Sequence, residues 1–277
     1  MTSYRTNRSY LSNSAPLKAL LALTAVVLLL FGSTPASAAD VTATWAKRID
    51  KAPEGVTGPV PVVVFLHGCS GYGPGSGAMF PDTRAWAETI TGAGYRFVVP
   101  DSWARSAWSR PNLCPNGINS GRSGSNPYQP PLDDVLKVRL MRIEEMAYAV
   151  ARLKEDPTVD QNRIVIFGHS EGGAVVATAV PPPSVRGLII SGWACHGKNP
   201  PGTDVKGLGI AAPPSIPLLA LEFEEDNYYT KDRQGRCSEF FPGRTDAHEF
   251  IAPGSGHIIG GIAAAREAVI NFLGDLK

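Results

Sequence analysis

Ile164-Val165-Ile166-Phe167-Gly168-His169-Ser170-Glu171-Gly172-Gly173-Ala174-Val175-Val176-Ala177 is the stretch on which the fold turns. Ile164 to Phe167 read as a buried strand, and Ala174 to Ala177 read as part of a small-residue helix. Between them Gly168-His169-Ser170-Glu171-Gly172 fits G-x-S-x-G, a strand-to-helix turn so tight that glycines must flank the serine. Such a turn presents the serine hydroxyl at the top of the strand, beside a helix N-terminus. Five residues alone are a weak signal; the strand before them and the helix after them give the pattern its meaning.

A serine hydroxyl is a poor nucleophile until a base takes its proton, so partners are needed downstream, the acid before the histidine. Ile216-Pro217-Leu218-Leu219-Ala220-Leu221 reads as a later strand, and Glu222, Glu224, Glu225 and Asp226 follow it. Asp226 lies furthest from that strand and is the expected acid, with Glu222 or Glu225 as alternatives. His248-Glu249-Phe250-Ile251-Ala252 reads as the final strand, and the glycine-flanked His257 after it is the expected base. His67 and His169 precede or adjoin Ser170, His196 follows another strand end, and His248 opens the last strand away from the site. The oxyanion that forms on attack needs preorganised N–H donors. The backbone amide of Glu171 is one, and that of Cys69, in His67-Gly68-Cys69-Ser70-Gly71 after the strand Val62–Leu66, is the other.

These segments, together with Val99-Pro100-Asp101-Ser102 and Pro253-Gly254-Ser255-Gly256-His257, resemble the α/β-hydrolase superfamily and, within it, the dienelactone hydrolase-like branch. The resemblance implies one catalytic domain and a hydrolytic activity that needs no cofactor. The enzyme that names the branch carries a cysteine nucleophile where this chain has Ser170. That departure favours ordinary ester hydrolysis over dienelactone as the expected reaction.

The remaining pattern agrees. Expected strands run over Val41–Ile49, Val60–Leu66, Tyr95–Val99, Arg163–Phe167, Val185–Ser191, Ile216–Phe223 and His248–Ile251. Helices are expected over Thr83–Ala93, Asp133–Lys154 and Ile258–Leu276. Val/Ile/Leu-rich strands separated by helices predict an α/β fold, a mostly parallel central sheet with helices on both faces. Ligands of such sheets sit outside the carboxyl ends of the strands, where all the candidate residues fall. In the long helix, Arg142 and Glu145 are spaced for an intrahelical ion pair.

Residues 1–38 read as a cleaved secretory signal peptide: basic Arg5, Arg8 and Lys18, an apolar stretch from Leu17 to Phe31, then Ala36-Ser37-Ala38. Residues 39–277 read as a single domain, secreted or periplasmic, with no stable membrane insertion once the leader is cleaved. Its loss removes three of the 26 basic residues and none of the 25 acidic ones, a net charge of −2. That balance, without basic runs, argues against nucleic acid or anionic membrane as the main partner. The four cysteines suggest two disulfides in an exported protein. Three connectivities are open, and Cys69–Cys114 with Cys195–Cys237 is the preferred one. No metal-ligand spacing is found.

Two long Gly/Pro-rich loops, 101–132 and 196–215, interrupt the alternation. Trp103 and Trp108 either wall a substrate cleft or pin the first loop to the body, and Trp193 either faces the cleft or packs in the core. The expected partner is a small-molecule ester. A lactone hydrolase, an amidase or peptidase, and a catalytically dead hydrolase-fold binding protein are the alternatives, because a fold does not fix its substrate.

Overall fold

A seven-stranded sheet organises the chain, in the order β1-β3-β2-β4-β5-β6-β7. The strands are β1 (Ile49–Lys51), β2 (Val60–Leu66), β3 (Arg96–Val99), β4 (Val159–His169), β5 (Val185–Ser191), β6 (Leu218–Asp226) and β7 (Ala247–Gly256). Among these described strands only the β1–β3 pairing is antiparallel; the others are parallel. The helices are α1 (Pro35–Ala46), α2 (Pro81–Gly92), α3 (Leu132–Lys154), α4 (Glu171–Thr178) and α5 (Ala263–Asp275). This computed structural model describes residues 35–74, 78–105, 132–193, 195, 210–226, 236–240 and 243–276. Asp40–Lys277 forms one compact unit.

Strand side chains alternate between two cores, as the period of two requires. Val62, Val64, Leu66, Ile164, Ile166, Leu188 and Ile190 face one side, under Met146 and Val150 of α3 and Ala174 to Ala177 of α4. Val63, Phe65, Phe97, Val165, Phe167 and Ile189 face the other, under Trp86 and Ile90 of α2 and Val269 and Phe272 of α5. Both faces are therefore dry, which is why the central strands read as unbroken apolar runs rather than as alternation.

Three expectations are corrected. The segment expected as a strand from Val41 is helical to Ala46, and strand pairing begins only at Ile49. Its alanines favour helix. Buried Val41 and Thr44, with partly buried Trp45, follow the i, i+3, i+4 spacing of one helix face. The second correction concerns β6 and β7, which run further than their apolar cores suggest. Asp226 is the last residue of β6, paired with Gly256, so Pro253-Gly254-Ser255-Gly256 is strand and not loop. Pro253 is tolerated there because β7 is an edge strand and Pro253 sits within a register irregularity, between the paired residues Ala252 and Ser255. The third is the Arg142–Glu145 pair. Glu145 instead contacts Arg105 at 3.0 Å and accepts from the Ser102 hydroxyl at 2.5 Å. The fully buried Arg142 guanidinium makes no hydrogen bond among the described residues, so its attraction to Glu145 is electrostatic without direct contact.

Candidate active site

At the end of β4 the chain enters the turn anticipated above, and the packing shows why its sequence is so restricted. Ser170 has φ 56° and ψ −118°, a backbone conformation rare for a residue with a side chain. It is held there by its own N–H, which donates to Ser191 O at 2.8 Å, and by its carbonyl, which accepts from Ala174 N at 2.9 Å. A Cβ on Gly168 would meet Gly172 O at 2.1 Å, and one on Gly172 would meet Leu66 O at 1.9 Å. Only hydrogen fits at either position.

His257 stands directly after the paired residues Asp226 and Gly256, so parallel register delivers the imidazole beside the carboxylate. His257 Nδ1–H donates to Asp226 Oδ2 at 2.7 Å, and the Ser170 hydroxyl donates to His257 Nε2 at 2.9 Å. Both side chains of the His–Asp pair are nearly buried, at 9% and 7% exposure, so the pair is shielded from competing water. Glu222, weighed as an alternative acid, points elsewhere. It is buried, its Oε1 has no partner, and burial drives its carboxyl well above the usual range. The mutually close Cys195, Glu222 and Cys237 resemble a ligand set by residue type, but both sulfurs are spent in a disulfide.

Two other histidines lie close by and are both neutral. Burial, and then the Arg142 charge, push His67 down to about 3. Its Nδ1–H donates to Gly68 O at 2.8 Å, while Nε2 accepts from Ser102 N at 3.4 Å. Burial, and then the neighbouring His257, push His169 down to about 3. Its Nδ1 lies 3.2 Å from Ser191 Oγ and its ring 5.1 Å from that of His257.

The candidate oxyanion segments meet at the serine. A Cβ on Gly68 would lie 3.0 Å from Ser170 Cβ, so the turn carrying Cys69 abuts Ser170. That turn is closed by Gly71 N donating to Gly68 O at 3.0 Å. Glu171 begins α4, where the first amides have no intrahelical acceptor. Its carboxylate pairs with Arg139 at 3.1 Å, which fixes the helix start to α3. Trp103 packs on Gly71, where a Cβ would meet its ring at 2.6 Å, and faces His67 with ring centroids 6.2 Å apart. Trp193 is only 8% exposed, in the core, with Arg139 over its ring at 5.5 Å. Trp108 and Cys114 lie outside the described residues. Cys195 and Cys237 are bonded to each other, and Cys69 is also disulfide-bonded.

Sequence reasoning missed Asp82 of α2, whose Oδ1 accepts from Gly260 N at 2.6 Å in the turn after His257. A carboxylate in a first helical turn is too common a cap-region residue to have signalled this.

A parallel sheet with a strained serine between strand and helix, and with acid and histidine after later strands, defines the α/β-hydrolase fold. The dienelactone hydrolase family model matches residues 49–257, and the chain belongs to that family of hydrolases. No curated protein matches the sequence. Among solved structures it is similar to Est1E from Butyrivibrio proteoclasticus with ferulic acid bound. There the TM-score is 0.58 and the identity 14%, over 83% of this chain and 94% of that one. A dienelactone hydrolase from Anabaena variabilis matches with TM-score 0.50 and 19% identity, over 83% of this chain and 89% of that one. TT1662 from Thermus thermophilus matches with TM-score 0.53 and 19% identity, over 83% and 92%. At these identities the likeness is one of fold.

Proposed function

We propose that this protein is an exported serine esterase acting on small carboxylic esters. One observation carries the reading: the continuous hydrogen-bonded chain from Asp226 through His257 to Ser170, at 2.7 and 2.9 Å. As Ser170 Oγ attacks the ester carbonyl carbon, its proton passes to His257 Nε2, and Asp226 supports the imidazolium through Nδ1–H. The backbone amides of Cys69 and Glu171 receive the oxyanion. Collapse of the tetrahedral intermediate breaks the ester C–O bond, and the alcohol leaves with the proton from Nε2. Water, deprotonated by the same nitrogen, then attacks the acyl-enzyme and releases the acid and free Ser170. Neutral, buried His67 and His169 do not compete as bases, since neither is bonded to Ser170 Oγ.

Export is supported by the leader-like residues 1–38 and by the disulfides, which persist in oxidising compartments. The serine nucleophile favours esters over dienelactone within the family. The test is labelling with a fluorophosphonate, read by intact mass, for the wild type and Ser170→Ala. We expect one adduct on the wild type and none on the variant, on a chain that begins at Ala39. A folded wild type that takes no label would refute the esterase reading, and a panel of esters, lactones and amides would then rank the leaving groups of any labelled protein.

A further inference from the structure

The turn between β7 and α5 carries His257 and is fastened at its far end by charged side chains from two other places in the chain. Gly260 N–H donates to Asp82 Oδ1 at 2.6 Å, and Gly260 O accepts from Arg266 Nη1 at 2.7 Å. Ile259 is completely buried and its carbonyl accepts from Ile262 N at 2.9 Å, so the turn has no slack. A Cβ on Gly260 would meet Asp82 Oδ1 at 2.1 Å and Trp86 Nε1 at 2.8 Å. The backbone thus sits directly on the carboxylate. Asp82 occupies the first turn of α2, where the helix end favours a negative charge. The charge of His257 also acts on the Asp82 carboxyl, favouring its ionised form against the effect of burial.

We propose that Asp82 is a positioning residue for the base: a second carboxylate, besides Asp226, that anchors the His257 turn and stabilises the imidazolium. This rests on the esterase reading given above. The imidazolium forms only while Ser170 is being acylated or deacylated, so a nearby fixed negative charge acts on the barrier more than on substrate binding. Asp226 from β6 and Ser170 at the end of β4 hydrogen-bond to His257, neutral His169 lies beside its ring, and Asp82 from α2 acts on it electrostatically. Arg266 of α5 reaches the same turn through Gly260 O, and Arg84 of α2 is turned away to Met79 O. Burial raises the Asp82 carboxyl to about 6, so it is charged at neutral pH and loses its charge in mild acid.

The experiment compares wild type, Asp82→Asn and Asp82→Ala. Asparagine keeps an acceptor for Gly260 N–H without the charge; alanine keeps neither. In Asp82→Ala, kcat for an ester should fall roughly ten- to a hundredfold with KM little changed, the signature of a displaced base. In Asp82→Asn most of kcat should return at neutral pH. The His257 imidazole resonances, followed against pH by NMR, should there respond at a more acidic pH than in the wild type, because a neighbouring negative charge has been removed. Unchanged kcat in Asp82→Ala, or an unchanged His257 titration in Asp82→Asn, would overturn the proposal. If Asp82→Ala does not fold, the asparagine titration decides alone. That titration needs no turnover, so a wild type inert toward esters would sink the esterase reading and leave the Asp82 measurement standing.

Discussion

Ser170 is constrained by backbone lying against backbone, whereas His257 is constrained by side chains reaching in from distant elements. On the serine side the contacts are Leu66 O on Gly172, Gly172 O on Gly168 and Ser191 O on the Ser170 amide. None of these groups has a rotamer to change. On the base side, Asp226 and Asp82 hold the imidazole and its turn, and the Cys195–Cys237 disulfide ties the β5 end to the segment after β6. The first arrangement allows no substitution. The second is built of separable parts, each of which can be removed and its loss measured.

The largest effect should therefore come from a single methyl group on the serine side. In Gly172→Ala the new carbon would lie 1.9 Å from Leu66 O, a backbone atom of the most buried strand. Overpacking in a core costs about 1–3 kcal/mol when side chains can adjust. Here β2 itself would have to move, so the cost should exceed that range. Expression with Gly92→Ala as the control, where nothing lies within 4 Å, checks this by urea unfolding. A Gly172→Ala protein as stable as the control would break the contrast between the two sides.

An intermediate effect is expected from the base side. Replacing Cys195 and Cys237 by serine together opens a crosslink of sequence separation 42 that brackets Asp226. The chain entropy released to the unfolded state predicts a loss of about 2–4 kcal/mol, seen as an earlier midpoint in denaturant. Because the nucleophile turn does not depend on this crosslink, Ser170 should remain reactive in the double variant wherever it is folded. Loss of the fluorophosphonate label from folded double variant would show that the two sides are not separable.

The same contrast explains what was legible in the sequence. Strands β2 and β5 are readable to their last residue, because burial on both faces leaves mostly apolar runs with sharp ends, interrupted in β5 by the exposed Arg186. The serine turn is readable because backbone crowding admits only glycine at fixed offsets. Ser170, His257 and Asp226, which the structure joins by hydrogen bonds, follow from chain order and strand ends. The means by which Asp226 arrives was not legible: polar Glu224, Glu225 and Asp226 mark a loop by composition, yet they extend β6 because β7 pairs with Glu225 and Asp226. Nor was the Asp82–Gly260 tie, whose partners lie 178 residues apart. Helix α1 misled for a local reason, since Val41, Ala43 and Trp45 satisfy a period of two as readily as Val41, Thr44 and Trp45 satisfy a helix.

The smallest effect should come from Glu222, and its sign is opposite to the others. This carboxyl is 6% exposed, with one oxygen unpartnered, and burial holds its folded titration well above its unfolded one. A raised carboxylate favours the folded state at low pH, and that contribution is lost as pH climbs through the folded value. Glu249 and Asp226 add to the rise, so the ionised form is resisted by charge as well as by burial. Glu222→Gln keeps the shape and removes the titration. The variant should match the wild type in acid and exceed it at neutral and alkaline pH by about 1 kcal/mol, roughly 2–4 °C in Tm. Activity should be kept, because Asp226 and not Glu222 holds His257. A Tm difference that does not grow with pH would mean that Glu222 is already solvated or paired when ionised. A large loss of kcat would instead return it to the acid's role and move the weight of the base side from β6's last residue to its middle.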